Sequence, residues 1–412
     1  MLTRIVSIAL AFVGLIVGAG FASGQEVMQY FVAFGMEGVW GAIASCIIMT
    51  VSGLVVLQLG SYFQAQEHTA VFKRVSKRWV AMFLDVAVMI TLFSTGVVMM
   101  AGAGSNLNQQ FDAPVWLGTT LMLVFILAAG MLNVDKVSTI IGAITPFIIV
   151  FLVIASIYAV SKAEMSFGDA ATYAETHVQT TLPHWGVSAL NYVGFNLMVA
   201  VSMAIIIGGD NFNPREAGIG GLLGGLLYGG LLLLSTVALM SSITTVENDE
   251  LPMLSLVNSI HPVLGTAMAV VVYGMIFNTG IGMFYALAKR VTARKPQQFR
   301  PLFIAVTLIG FGLGFLGFKT LIAYVYPALG YVGVVLIIVM CIAWLRGRIR
   351  ITEEAHRRRR MLDLVRMFGG RRDADPADSG RTRIELEQEM AASNLPNDEL
   401  EKRLLDRRPD SR

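Results

Sequence analysis

Residues 17–26 read VGAGFASGQE. Gly18, Gly20 and Gly24, with Ser23 between them, interrupt an apolar run that begins near Ile5. Glycine weakens a helix interior by about 1 kcal/mol relative to alanine, so this spacing predicts that the helix gives way here. In a bilayer, unwinding frees N–H and C=O groups that hydrocarbon cannot satisfy. They must then face a protein-lined cavity, an ion or a ligand. A half-helix restarting near Ser23 would turn its N–H groups and positive dipole end toward that cavity, which suits a carboxylate. Glu26 lies just beyond, and an intramembrane carboxylate is a functional candidate by default. Gly18, Ala19, Gly20, Ser23 and Glu26 are therefore candidate solute contacts, with Glu26 also a candidate proton carrier. The bland alternative is that the glycines only allow close helix packing.

The rest of the chain supplies the bilayer. Its 412 residues are 55% hydrophobic and 14% charged, with a mean hydropathy of +0.66, where a soluble chain carries about 25% charged residues. Residues 346–412 hold 17 of the 31 Lys and Arg and 14 of the 28 Asp and Glu. The body before them is formally neutral. This excludes a soluble enzyme, a nucleic-acid binder and a secreted disulfide scaffold. Cys46 and Cys341 both lie in apolar runs, so no bridge is expected. The reading is an all-α polytopic membrane protein, residues 1–345, followed by a basic, charged and disordered tail, 346–412.

At about 20 apolar residues per span, the sequence gives ten: 5–34, 38–62, 79–104, 114–132, 137–160, 187–209, 217–242, 262–288, 301–317 and 320–345. With the N-terminus inside, twelve basic residues from Arg4 to Arg300 fall in cytoplasmic positions, against Lys162 and Lys319 outside. That asymmetry obeys the positive-inside rule and puts both termini on the cytoplasmic side of the cytoplasmic (inner) membrane. An offset of 180 residues lays ALNYVGFNL from Ala189 over ALAFVGLIV from Ala9 and brings spans six to ten onto one to five. Repeats 1–160 and 187–345 of five spans each must have opposite topology, an organisation of secondary transporters with the solute near the midplane. Span six, as partner of span one, is expected to be discontinuous too, with Tyr192, Gly194 and Asn196 as solute contacts. Tyr192 reads equally as an interfacial aromatic. In span seven, Gly221, Gly225 and Gly229 repeat every four residues, a packing face. Asp85 is expected either on an inner pathway or paired with a basic loop residue.

The run VGAGFASGQEVMQYF resembles the opening helix of YkvI-like bacterial membrane proteins, and its glycine break is similar to that of amino-acid and amine transporters with the LeuT-type five-plus-five inverted-repeat fold. The resemblance implies a sodium ion between carbonyls of Gly14 and Val17 in span one and Met275, Asn278 and Thr279 in span eight. Read without it, Asn278 and Thr279 equally suit hydrogen bonds between helices. Where the fold places an asparagine for a second ion, this chain has Phe21. The resemblance implies secondary active transport of a small polar solute, an amino acid or related amine, coupled to Na+ or H+ by alternating access. No enzyme activity and no cofactor other than Na+ are expected. Two alternatives stay open: a non-transporting scaffold or sensor acting through the tail, and an exporter of a lipid-linked amphiphile. The run RGRIRITEEAHRRRR from Arg346 is expected to meet anionic lipid at about 1 kcal/mol per basic residue, not nucleic acid. Loop 243–261 contains VENDELPMLSLV, a candidate short helix serving as an outer lid. Substrate identity and oligomeric state are not written in the sequence.

Overall fold

The computed structural model describes residues 2–131, 145–370, 376–398, 400 and 404, and all regular structure among them is helical. The interrupted first run forms α1 (Leu2–Ile16), α2 (Ala19–Ser23) and α3 (Gln25–Tyr30). There follow α4 (Gly35–Phe63), α5 (His68–Val75), α6 (Arg78–Phe111), α7 (Val115–Met131) and α8 (Thr145–Ser161). The second half comprises α9 (Phe167–His177), α10 (Trp185–Asp210), α11 (Pro214–Ser241), α12 (Ile243–Val246), α13 (Pro252–Ile260), α14 (Pro262–Val291) and α15 (Phe299–Leu313). Last come α16 (Phe318–Gly370) and α17 (Pro376–Ala391). Among the described residues, seven helical stretches are long and apolar enough to cross a membrane, and three shorter apolar helices accompany them. The expected start of span five, with Lys136, lies outside the described residues.

Small residues set the closest approaches. Gly221, Gly225 and Gly229 of α11 lie directly against Gly53, Thr50 and Cys46 of α4, with no room for a Cβ. The four-residue glycine period is therefore a packing face, as its spacing predicts. Without a hydrophobic force between helices in lipid, such close backbone contact is what holds them together.

Span six corrects an expectation. α10 runs unbroken from Trp185 to Asp210, although Asn191, Gly194 and Asn196 sit where the break was expected. The reason is that each has a satisfied structural use. The Asn196 amide donates back to the Tyr192 carbonyl (2.9 Å) within the same helix. Asn191 donates to the Pro327 carbonyl of α16 (2.9 Å) and accepts from the Tyr30 hydroxyl (3.2 Å). Gly194 abuts Gly330 and Gly333 of α16. Polar groups that serve as interhelical bonds leave the main chain free to stay helical.

Within the tail, where the charged composition suggests disorder with a weak helix near residues 383–392, a helix over that stretch is present and more of the chain is ordered than expected. α16 continues past the apolar segment to Gly370, and α17 folds back along it. Phe212, Met361, Val365, Leu395, Leu400 and Leu404 form a second small core beneath this hairpin. At its centre Arg358 is fully buried. Composition signalled a solvated tail; pairing charges internally and burying a few leucines overrides it.

Candidate functional site

The main chain opens where the glycines predict. The helical ladder of α1 ends with the Val17 N–H donating to the Val13 carbonyl and resumes with Ala22 donating to Gly18. The carbonyls of Gly14, Leu15, Ile16 and Val17 fall between these two ladders. Gly18 is extended (φ −99°, ψ −179°) and caps α2. Gly24 adopts φ +82°, the left-handed region, and redirects the chain from α2 into α3. A side chain at Gly24 would also meet the Met253 backbone of α13. The expected short helix thus exists and packs against the break from one side.

Gly20 has a separate reason to be glycine. A Cβ there would occupy the position of the Glu26 carboxylate, which folds back over it. Ser23 does not reach outward: its hydroxyl donates to the Gly20 carbonyl (2.6 Å) and accepts from the Gln25 N–H (3.2 Å), stapling the short turn. Glu26 is 4% exposed. It accepts a hydrogen bond from the Tyr192 hydroxyl (3.4 Å), which shares one with the Tyr228 hydroxyl (2.7 Å). No basic side chain pairs with it among the described residues. Tyr192 is fully buried between Tyr30 and Phe31, at ring separations of 5.1 and 5.0 Å, so the interfacial reading of this residue does not hold.

A cavity of about 1400 Å³ extends from this break. Its wall includes Gly14 through Gly20 and Glu26 from the first run, Thr95 and Met99 from α6, and Asn196 from α10. From α14 come Met275, Asn278 and Thr279. All five candidate ion ligands therefore share one cavity with Gly18, Ala19, Gly20, Glu26 and Asn196. Ser23, Tyr192 and Gly194 do not line it; Tyr192 acts on Glu26 from behind.

The opposite reach of the cavity is lined by Lys73, Lys289, Arg290 and Arg294, so it runs toward the end of the bundle that carries the basic loops. The acidic end is knit shut. Gln109 bonds the Leu251 N–H and carbonyl (2.8 and 3.0 Å) at the start of α13. Tyr173 donates to Glu247 (3.1 Å), whose carbonyl accepts from Lys319 (3.2 Å).

Near the basic mouth lies a group that sequence reasoning missed. Asp85 pairs with Arg290 at the end of α14, so its expected basic partner exists but belongs to a helix terminus, and Asp85 lines the cavity as well. It also meets His68 Nε2 (3.3 Å), while His68 Nδ1 meets the Ser202 hydroxyl of α10 (2.9 Å). A neutral imidazole protonated on Nε2 satisfies both contacts. Burial, then the neighbouring Arg290 guanidinium, pulls His68 down from 6.5 to about 4. Its only sequence signal was a histidine opening a short amphipathic segment between two spans.

No family model matches the chain. The chain is 25% identical over 335 residues to YkvI, a membrane protein of Bacillus subtilis (strain 168), covering 80% of this chain and 93% of that one. It is 25% identical over 331 residues to YyaD of the same organism, covering 80% and 94%. Neither relative has an assigned activity. Among solved structures, MhsT in complex with L-phenylalanine superposes with a TM-score of 0.59 at 14% identity, over 80% of this chain and 87% of that one. Mhp1, a nucleobase-cation-symport-1 family transporter in a closed conformation with bromovinylhydantoin bound, gives 0.51 at 15% identity, over 86% and 79%. At that identity the likeness establishes the fold, similar to that of LeuT-type transporters.

Proposed function

We propose that the protein is a secondary active transporter of a small polar solute, an amino acid or related amine, working by alternating access. One observation carries the reading: a break within the first apolar run opens onto a cavity that also holds an acid without a basic partner among the described residues. Hydrocarbon does not tolerate freed carbonyls or a lone carboxylate, so both need an occupant. The wall near the break offers one carboxylate with amides and hydroxyls, and its basic residues sit at the far mouth. That chemistry suits an ammonium group. With the basic loops cytoplasmic, as the positive-inside rule directs, this proposal takes the molecule to be a ten-span, five-plus-five inverted repeat in its inward-facing state. Solute leaves past Asp85 and His68, and the α13 lid seals the outside.

Sodium is the coupling ion of this proposal, held by carbonyls of Gly14, Val17 and Met275 and the side chains of Asn278 and Thr279. The ligand atoms would all be oxygens, carbonyl, amide carbonyl and hydroxyl, which suits a hard cation. Proton carriage by Glu26 is the competing mechanism and predicts pH-dependent, sodium-independent uptake. Arg346, Arg348, Arg350 and Arg359 stay exposed along the membrane-proximal part of α16 and would meet anionic lipid headgroups.

The test combines binding with transport. Purified protein is screened by thermal shift against the standard amino acids and their decarboxylated amines, in sodium and in choline, since a bound solute raises the melting temperature with its concentration. Uptake of the best binder is then compared between wild type and Glu26→Gln in proteoliposomes. The variant keeps a partner for Tyr192 and removes the buried ionisable carboxyl, so it is expected to melt no lower and to lose at least tenfold in uptake. Silence across the panel, or full uptake by the variant, overturns the reading.

A further inference from the structure

As a rule, buried hydroxyls in the helices of this protein donate to a main-chain carbonyl, some of them across elements, as Ser45, Ser61 and Ser188 do. Thr91, Ser105, Thr119, Ser235, Thr236 and Thr307 each donate to the carbonyl four residues earlier, at 2.7 to 3.3 Å. The bond settles the hydroxyl proton at no cost to the helix ladder, because a carbonyl has a second lone pair. Thr95 lies one turn after Thr91 on α6, is 3% exposed, and breaks the rule: its hydroxyl has no hydrogen-bond partner. Two other buried hydroxyls, of Ser52 and Ser156, are also unpartnered. Ser52 borders an apolar gap of about 10 Å³, at the lower limit for a single water, and Ser156 borders neither that gap nor the large cavity. Thr95 alone of the three lines the large cavity, as do Met99 one turn further along α6 and Asn278 and Thr279 of α14.

An orphaned donor is dearer than an orphaned acceptor, so the missing partner of Thr95 is an acceptor oxygen. Carboxylates and hydroxyls of a solute supply one. We infer that the Thr95 hydroxyl is a specificity-determining contact that donates to an acceptor oxygen of the transported solute, selecting amino acids over the amines that lack the carboxylate. The inference rests on the transporter reading above and deepens it: Glu26 takes the ammonium end, and Thr95 reads what else the solute carries. The wall near the break has no arginine or lysine for that carboxylate, which leaves neutral donors to receive it.

The experiment uses the full chain in detergent and the same panel of amino acids paired with their decarboxylated amines, at saturating sodium. Wild type is expected to prefer the acid-bearing member of the best-bound pair by roughly tenfold or more, the scale of one hydrogen bond to a charged group. Thr95→Val, which keeps the shape and deletes the hydroxyl, is expected to bind both members alike. Thr95→Ser should restore the preference. A second reading separates contact from scaffolding: without solute, Thr95→Val should melt no lower than wild type, because it removes an unsatisfied group. A structural hydroxyl would do the opposite, lowering the melting temperature and sparing selectivity. An unchanged preference in Thr95→Val overturns the inference, as does an effect confined to sodium-induced stabilisation in the absence of solute. If wild type binds solutes without preference, the inference falls and transport stands; if it binds none, both fall.

Discussion

Replacing Arg358 with methionine should release the folded-back tail. The guanidinium is fully buried and donates to Glu354 (2.8 Å), to the Ser61, Tyr62 and Phe212 carbonyls (2.9, 2.8 and 3.0 Å) and to Asn394 (2.8 Å). Ser61 and Tyr62 lie in the last turn of α4, where carbonyls run out of intrahelical partners; Gln64 also donates to the Ser61 carbonyl and Asn394 to that of Tyr62, and Arg358 adds to this cap from another element. Removing one member of a buried ion pair costs about 3–5 kcal/mol because the other is left uncompensated. The lower end applies here, since Glu354 retains Arg357 (3.1 Å), the Ser393 hydroxyl (2.5 Å) and the Asn394 N–H (3.4 Å). The leucines beneath the hairpin are also untouched by the change. About 3 kcal/mol corresponds to roughly a hundredfold shift from docked to undocked at 1.4 kcal/mol per decade. Hydrogen exchange over residues 383–398 reads it directly: protection should fall by about two decades in Arg358→Met, and Arg359→Met, at an exposed position, should leave it alone. Protection within threefold of wild type in Arg358→Met would refute the argument that this one side chain holds the tail.

Two further outcomes follow from other parts of the fold. His68 titrates at 6.5 when unfolded and about 4 when folded, so between those values the unfolded chain holds the extra proton and stability falls as pH falls. The loss should approach about 3 kcal/mol near pH 4; His68→Gln should flatten that part of a melting-temperature profile, and an unchanged profile would remove His68 as its source. Along the α4–α11 seam, Gly229→Val forces the helices apart and should cost about 1–3 kcal/mol, whereas Gly230, with nothing near its missing Cβ, should accept alanine without loss. Equal melting temperatures for the two variants would contradict the close packing.

The chain's own order of residues settles whatever depends on neighbours along it. Hydropathy located the apolar helices, since burying a span's backbone needs only its own hydrogen bonds. The glycines at 18, 20 and 24 disclosed the break, because helix propensity is local. The glycine period of span seven announced a packing face for the same reason. Gly18, Ala19, Gly20, Glu26 and Asn196 were legible as candidates because glycines and polar groups are scarce in apolar runs, whereas Gly14, Val17, Met275, Asn278 and Thr279 were reached only through the resemblance; all of them line the one cavity. What the sequence could not settle is whether a polar group is already answered by a distant one. Asn191, Asn196 and Gly194 looked like a second break, but carbonyls and glycines more than a hundred positions away on α16 answer two of them. Arg358 looked like one of many tail arginines until three main-chain carbonyls, two from the end of α4 and one from the α10–α11 connection, converged on it. Thr95 looked like any helical threonine, and only the folded arrangement shows that its proton has nowhere to go. Long-range hydrogen bonding carries no periodicity and no local propensity, so these assignments came into being only when the helices packed.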